Sequence, residues 1–224
     1  MKKHAIKDTL LRVIILMVGL TIAHLGVTLF ILADLGTDPF NVLVQGIFRT
    51  LERTLALPIL THGRVHILMC LLIIAALLAV DRSYIRIGTL LCMAFGGPII
   101  DGFTLLLTPL AAVSDHIVFR IVMNLLGCVI LAYGMTVVIR SEAGTGPNDL
   151  VAVVISDKSK KKFSVVRILT DLAFVGIGWA LGGSVGLGTV LCAFCVGPVA
   201  GFFLPLNKRL IDRILHAALG SAKA

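Results

Sequence analysis

The stretch Gly36-Thr37-Asp38-Pro39-Phe40-Asn41 and its counterpart Gly144-Thr145-Gly146-Pro147-Asn148-Asp149 decide the fold of this chain. Each stretch lies between a long apolar run and a shorter one. Glycine tolerates the left-handed conformation that ends a helix, and proline suits the first turn of the next helix, where its missing N–H is no loss. Both stretches therefore predict a break between two helices, at matching places in the two halves of the chain.

The composition indicates a membrane protein. Of the 224 residues, 58% are hydrophobic and 14% are charged, whereas a globular chain is about 45–50% apolar and about 25% charged. The net charge of +8 comes from basic residues at the ends of apolar runs, which is typical of a protein at a membrane surface. We therefore predict the lipid bilayer as a partner, and no nucleic acid.

Six segments approach the roughly 20 apolar residues that a membrane-spanning helix needs. With a cytoplasmic N-terminus, sixteen of the 20 Lys and Arg residues fall on the cytoplasmic side. This excess predicts a multi-pass protein of the cytoplasmic membrane with both termini in the cytoplasm. The predicted spans are 11–33, 65–80, 87–107, 118–139, 167–182 and 187–206.

Three further segments are not predicted to cross the membrane. Residues 39–56 carry several charges and residues 147–157 are too short. Each of these two is either an amphipathic surface helix or a re-entrant half-helix, which is tolerated only against protein or a water-filled cavity. Residues 207–224 have an amphipathic pattern that predicts an interfacial helix on the cytoplasmic leaflet.

The two halves are related in sequence. A shift of 108 positions superposes Gly19 on Gly127 and Gly26 on Gly134, and a shift of 100 sets Gly97-Pro98 on Gly197-Pro198. Three spans per half is an odd number, so the second copy enters from the opposite side. We predict an all-α membrane helix bundle of two inverted three-span repeats, 1–110 and 111–206, with the tail 207–224; were both short helices to cross, the repeats would be parallel. Inverted repeats and paired Gly/Pro interruptions are typical of secondary transporters. The Gly/Pro pairs are equally consistent with kinked packing contacts, since Gly and Pro are common in membrane helices.

Charged residues inside spans are costly and call for a partner or a purpose. Asp101 follows Gly97-Pro98 and is either a coupling-ion or proton site or a water-bonded carboxyl. Arg167 and Asp171 are four residues apart on one helical face. They predict a structural ion pair, or an anion held by Arg167 with His66 as its pseudo-symmetric partner.

The helices after the two breaks begin with free N–H groups, which favour anions. If these helices are re-entrant, the polar residues of the breaks line a cavity; if they lie on the surface, the same residues are ordinary caps. Together with the charged positions they give the candidate substrate-binding residues Thr37, Asp38, Asn41, His66, Asp101, Thr145, Asn148, Asp149, Arg167 and Asp171.

The motifs of common enzymes are missing from the sequence. It contains no HExxH, GxSxG or phosphate loop. The five cysteines lie in apolar runs, and Cys192 and Cys195 have no second ligand pair. We predict no catalytic residue, metal or cofactor.

Several of these motifs resemble the YczE/YyaS/YitT family of prokaryotic integral membrane proteins, and most of all its short, YczE-like branch. The likeness covers about residues 10–206 and rests on the two breaks, on Ser164-Val165-Val166-Arg167 and on the glycine-rich residues 182–189. Phe40 stands where this family often has tryptophan, and Asp171 where glutamate is usual. The resemblance implies the fold and the membrane location, and it suggests transport only weakly.

Two functions are consistent with these features. The first is a transporter of a small molecule or ion, with its site between the two repeats near the midplane. The alternative is a non-transporting accessory or scaffold protein, since the many small residues on the spans suit helix association, including association between copies of the chain.

Overall fold

The computed structural model describes residues 2–55, 59–111 and 116–219, and every regular element among them is helical. The predicted all-α class is therefore confirmed. A 3₁₀ turn, Arg82–Tyr84, precedes α4. The helices are α1 Lys2–Ala33, α2 Pro39–Leu55, α3 His62–Val80, α4 Ile87–Ala111, α5 Ile117–Ser141, α6 Pro147–Ser159, α7 Phe163–Ala180 and α8 Leu187–Leu219.

Within the described part of the chain, five helices are long and apolar enough to cross a membrane: α1, α3, α4, α5 and α8. Large apolar side chains on them face outward, such as Leu105 at 82% exposure and Phe194 at 76%. Such surface is stable only against lipid, so the membrane bundle is confirmed. The predicted span 167–182 corresponds to α7, which is not among the five. The count of six spans stays a prediction.

Both predicted helix breaks are present. The residue directly after each helix has a left-handed backbone conformation. It is Asp34 (φ 48°) after α1 and Glu142 (φ 57°) after α5. The glycines act two residues later, where Gly36 and Gly144 have φ of 101° and 147°. Proline then opens α2 and α6, as predicted. A side chain other than glycine is strained at such φ values, which explains the Gly-Thr pattern.

Helices α1 and α5 cross through glycine, with backbone against backbone. A Cβ atom at position 26 would lie 2.7 Å from the carbonyl oxygen of Gly127, and one at position 134 would lie 2.7 Å from that of Gly19. Residue numbers rise along α1 as they fall along α5, so the two helices are antiparallel. The contact is reciprocal, because Gly127 and Gly134 are the repeat counterparts of Gly19 and Gly26.

The N-terminus of the last helix in each half is hydrogen-bonded to the break of the other half. The N–H of Gly188 donates to the carbonyl of Leu35 at 2.7 Å, and that of Gly88 donates to the carbonyl of Ala143 at 3.1 Å. Asn124 adds a side-chain hydrogen bond to the carbonyl of Gly36 at 3.2 Å. The two halves therefore interlock rather than pack side by side.

The Gly/Pro pairs do not interrupt their helices, because α4 runs through Pro98 and α8 through Pro198. Gly97 packs against Gly63 of α3, whereas a Cβ atom at Gly197 would meet nothing within 4 Å. In the first half the pair therefore serves helix packing, which was one of the two interpretations of the sequence.

The predicted tail does not begin as a separate element. Residues 207–219 continue α8 without a break, and the helix also runs through Pro205. Asn207 is buried and donates to Thr136 Oγ1 at 2.7 Å, and Ile211 is also buried. Residues 220–224 lie outside the described residues. An interfacial position of the tail stays a prediction.

Candidate functional site

Helix α2 begins inside the protein and ends near the point where the chain left α1. Asp34, just after α1, pairs with Arg49 in the later part of α2 (Oδ1 to Nη2 3.2 Å). All seven residues from Phe40 to Gly46 are buried. A helix lying on a surface would leave one face open, so this burial favours the re-entrant alternative for α2.

The first break forms a hydrogen-bonded network around Asp38, which caps α2. Asn41 donates to Asp38 through its backbone N–H at 3.3 Å and its side-chain Nδ2 at 2.8 Å. Thr37 donates to the same carboxylate at 3.2 Å. Asn41 Oδ1 lies 3.3 Å from His62 Nε2. We call Thr37, Asp38, Asn41 and His62 the first network.

The second break forms another network around Arg167. Its Nε donates to Asp171 Oδ2 at 3.0 Å and its Nη1 to Asp149 Oδ1 at 2.6 Å. Asn148 also donates to Asp149 at 3.2 Å. The predicted ion pair of Arg167 and Asp171 is confirmed, and Asp149 is a partner that sequence spacing did not indicate. We call Asn148, Asp149, Arg167 and Asp171 the second network.

The two networks lie close together between the halves. Asp38 and Asn41 of the first network lie on either side of Phe40, and Asp171 of the second lies three residues before Phe174. Phe40 of α2 packs against Phe174 of α7, with ring centroids 5.7 Å apart. Together the two networks contain three carboxyl groups and one guanidinium, so acceptors outnumber cationic donors.

Two predicted residues lie apart from these networks. His66 packs against Phe40 at 5.3 Å and against His24 at 5.6 Å between ring centroids, and its Nδ1 has no hydrogen-bond partner among the described residues. Asp101 accepts from Thr61 Oγ1 at 2.6 Å and from the N–H of Gly63 at 2.9 Å. Asp101 therefore fastens the N-terminus of α3 to α4.

Thr145 lines a cavity of about 610 Å³ at the second break. At the first break, the equivalent Thr37 is only 1% exposed. The other lining residues are Ser83, Tyr84, Arg86, Ile139, Glu142, Gly144, Leu150 and Val153. The second break is therefore open to the side that the charge distribution predicts to be cytoplasmic, and the first break is closed.

The helices that follow the two breaks pack differently against their neighbours, and the residues at the contacts account for this. Helix α2 meets α7 through glycine: a Cβ atom at position 178 would lie 2.6 Å from Leu43 Cα, and Gly46 packs against Gly178 in turn. The repeat counterparts of Gly46 and Gly178 are Val154 and Leu77, which pack through their side chains. Helices α3 and α6 therefore meet through side chains, whereas α2 and α7 meet backbone to backbone.

Polar contacts reinforce the closed side. Gln45 accepts the N–H of Ser184 at 2.7 Å. Arg49 donates to the carbonyl of Gly182 at 3.0 Å and to Ser184 Oγ at 2.9 Å. The sequence did not indicate these roles, because Gln45 and Arg49 read there only as polar residues of a short helix. The signal available in the sequence was the single polar residue Gln45 within an apolar stretch, which indicates a polar partner elsewhere in the chain.

The chain is similar in sequence to one protein family and to several bacterial proteins. A family described as a family of unknown function (DUF6198) matches residues 10–205. The "uncharacterized membrane protein YczE" of Bacillus subtilis is 29% identical over 92% of this chain and 91% of its own length. An "uncharacterized protein" of Haemophilus influenzae is 31% identical over 88% and 84%. A third relative, "uncharacterized protein YyaS" of Bacillus subtilis, is 26% identical over 86% and 92%. No solved structure matches the chain. The chain therefore belongs to the DUF6198 family, and its predicted resemblance to YczE-like membrane proteins is confirmed.

Proposed function

We propose that the protein transports a small molecule or ion across the cytoplasmic membrane, through a site between its two halves. The observation that carries this proposal is the presence of two polar networks, one around Asp38 and one around Arg167, beside the packed rings of Phe40 in α2 and Phe174 in α7. Polar groups inside a membrane bundle are expensive and usually mark a substrate or ion pathway.

An inverted repeat of two three-span halves is the second part of the proposal. The reciprocal glycine contacts between antiparallel α1 and α5 support it. The exchanged hydrogen bonds of Gly88 and Gly188 support it as well. Both agree with the cytoplasmic excess of Lys and Arg, which puts both termini inside. In such proteins alternating access is a rocking of one half against the other around a fixed site.

Access to the site in this conformation is from the cytoplasm. The cavity at the second break supports an opening there, and the contact of Gly46 with Gly178 supports closure on the other side. We therefore propose an inward-open conformation, in which α2 and α7 form the outer gate.

A membrane accessory or scaffold protein is the second candidate. Cβ atoms at Gly197 and Gly201 of α8 would meet nothing within 4 Å, so this face has room for a helix of another protein or of a second copy. No catalytic role is proposed.

A thermal-shift screen of the purified full-length chain against ions, amines, carboxylates and sugars tests the proposal. We expect one class to stabilise the protein and to cross the membrane of proteoliposomes, and Asp38→Asn and Asp149→Asn to abolish both effects. Asp212→Asn removes an exposed carboxylate of the tail and is the matched control. Failure of every class to cross the membrane would favour the accessory function.

A further inference from the structure

A polar cavity of about 510 Å³ lies at the C-terminal end of α6. Its volume is within the range of small-molecule sites, about 300–1,000 Å³. Tyr84 lines both this cavity and the one at the second break. The remaining lining residues are Ser156, Asp157, Lys158, Lys160 and Lys161. We call this the basic cavity.

The carboxylates in and beside the basic cavity are occupied by protein donors. Asp157 accepts the hydroxyl of Tyr84 at 2.9 Å. Asp81 accepts the N–H of Ser83 at 2.9 Å and Lys158 Nζ at 3.2 Å. Hydrogen bonds from Ser83, and then from Lys158, lower the pKa of Asp81 to about 2, so it keeps its charge at physiological pH.

Two ammonium groups remain available. Lys160 and Lys161 are exposed, and neither has a carboxylate partner in the part of the chain that the structure describes. The backbone beneath them is held in place: Lys160 ends α6 with φ 56°, and Ser156 Oγ donates to the carbonyl of Lys161 at 2.8 Å. Lys158, Lys160 and Lys161 carry three positive charges against the two negative charges of Asp81 and Asp157, so the cavity keeps an excess of positive charge for an external anion.

Apolar surface begins directly beside the basic cavity. Val80 precedes Asp81, and Val165 follows Lys161 by four residues. These side chains and those of Ile168 and Leu169 are all exposed, at 48–59%. Acyl chains pack against such an apolar surface, whereas a soluble anion does not. Tyrosine at a membrane boundary also contacts headgroups.

We propose that the basic cavity binds the headgroup of an anionic phospholipid of the cytoplasmic leaflet. Lys160 and Lys161 contact its phosphate, and the exposed side chains of α7 contact its acyl chains. The cytoplasmic leaflet supplies such lipids, and each nearby Lys contributes about 1 kcal/mol of attraction.

Native mass spectrometry of the full chain in detergent tests this, with phosphatidylglycerol and phosphatidylcholine as probes. We expect one saturable phosphatidylglycerol molecule and no saturable phosphatidylcholine. The double change Lys160→Gln and Lys161→Gln should weaken phosphatidylglycerol binding by about 25-fold, from two lysines at about fivefold each. The double change Lys208→Gln and Arg209→Gln removes the same charge from the exposed start of the tail and should leave binding within about twofold of the parent chain.

Three outcomes would overturn the proposal. Equal weakening in both double variants would mean that overall charge, not a site, attracts the lipid. Unchanged binding in the Lys160/Lys161 variant would exclude these residues. Displacement of the lipid by soluble glycerol 3-phosphate at equal concentration would show that the cavity takes a free anion. Circular dichroism of each variant verifies that the helices are intact.

Discussion

Arg167 Nη1 lies 2.6 Å from Asp149 Oδ1, and this ion pair joins the first turn of α6 to the second turn of α7. The same guanidinium holds Asp171 at 3.0 Å. One cation thus keeps two carboxylates of different helices in one place. All three side chains are about one third exposed, so the cluster is reachable by a ligand and is not a sealed core pair.

Removal of this cation should separate binding from folding. We expect Arg167→Ala to abolish the response to any ligand found in the screen, because Asp149 and Asp171 then repel each other. The stability cost should be about 1–3 kcal/mol, since two partly buried carboxylates lose their shared cation. Thermal unfolding in detergent measures both effects. Arg209→Ala is the control, and an unchanged ligand response in Arg167→Ala would remove Arg167 from the site.

The crossing of α1 and α5 should depend on glycine at reciprocal positions. Gly26→Ala and Gly134→Ala each place a Cβ atom against backbone of the other helix, and we expect each to cost about 1–3 kcal/mol. Gly102→Ala is the same change where nothing lies within 4 Å, so its melting temperature should stay at the parent value. Equal melting temperatures for all three variants would contradict the packing.

The proposed inward-open conformation predicts one-sided labelling. A membrane-impermeant maleimide should label Thr145→Cys from the cytoplasmic side, because position 145 lines the cavity. It should not label Thr37→Cys from outside, because position 37 is closed. Right-side-out and inside-out vesicles distinguish the two sides, and the parent chain with its own five cysteines supplies the background. Labelling of Thr37→Cys from outside would refute the closed outer gate.

Cysteine labelling also decides whether α7 crosses the membrane. Lys160 and Val185 flank α7 and are both exposed. If α7 is the fifth of six spans, Lys160→Cys reacts from the cytoplasm and Val185→Cys from outside. Reaction of both from one side would leave an odd number of crossings and would overturn the inverted repeat.

The contact of Asp81 with Ser83 and Lys158 should be stable to mild acid. The pKa of Asp81 in the folded protein, about 2, is below its ordinary value of 3.8, so its contribution to stability is fully present above about pH 4 and is lost as the pH falls toward 2. Thermal unfolding of Asp81→Asn should therefore differ from the parent at pH 7 and at pH 5 by the same amount. A difference that shrinks between pH 7 and pH 5 would mean that another group titrates.

Local pattern was enough for the helices and their breaks. Apolar runs, proline and glycine act within a few residues, which is why the breaks before Pro39 and Pro147 and five of the six predicted spans could be placed by inspection. The repeat offset of 108 was equally visible, because glycine and proline matches are rare by chance in an aliphatic chain. Charge counting gave a topology without any knowledge of contacts.

Contacts between residues distant in sequence could be identified only from the tertiary structure. Asp149 stands eighteen residues from Arg167, and no helical period predicts that pair. The sequence shows only that Asp101 is a charged residue in a span. Its hydrogen bonds to Thr61 and Gly63, which fasten α3 to α4, are visible only in the tertiary structure. The sequence alone determined the membrane bundle, its breaks and its internal repeat, because these follow from hydrophobicity and backbone conformation along the chain. Tertiary structure alone decided that α2 and α7 meet backbone to backbone at Gly46 and Gly178, while α6 and α3 meet through the side chains of Val154 and Leu77, because that depends on how closely two distant helices can approach.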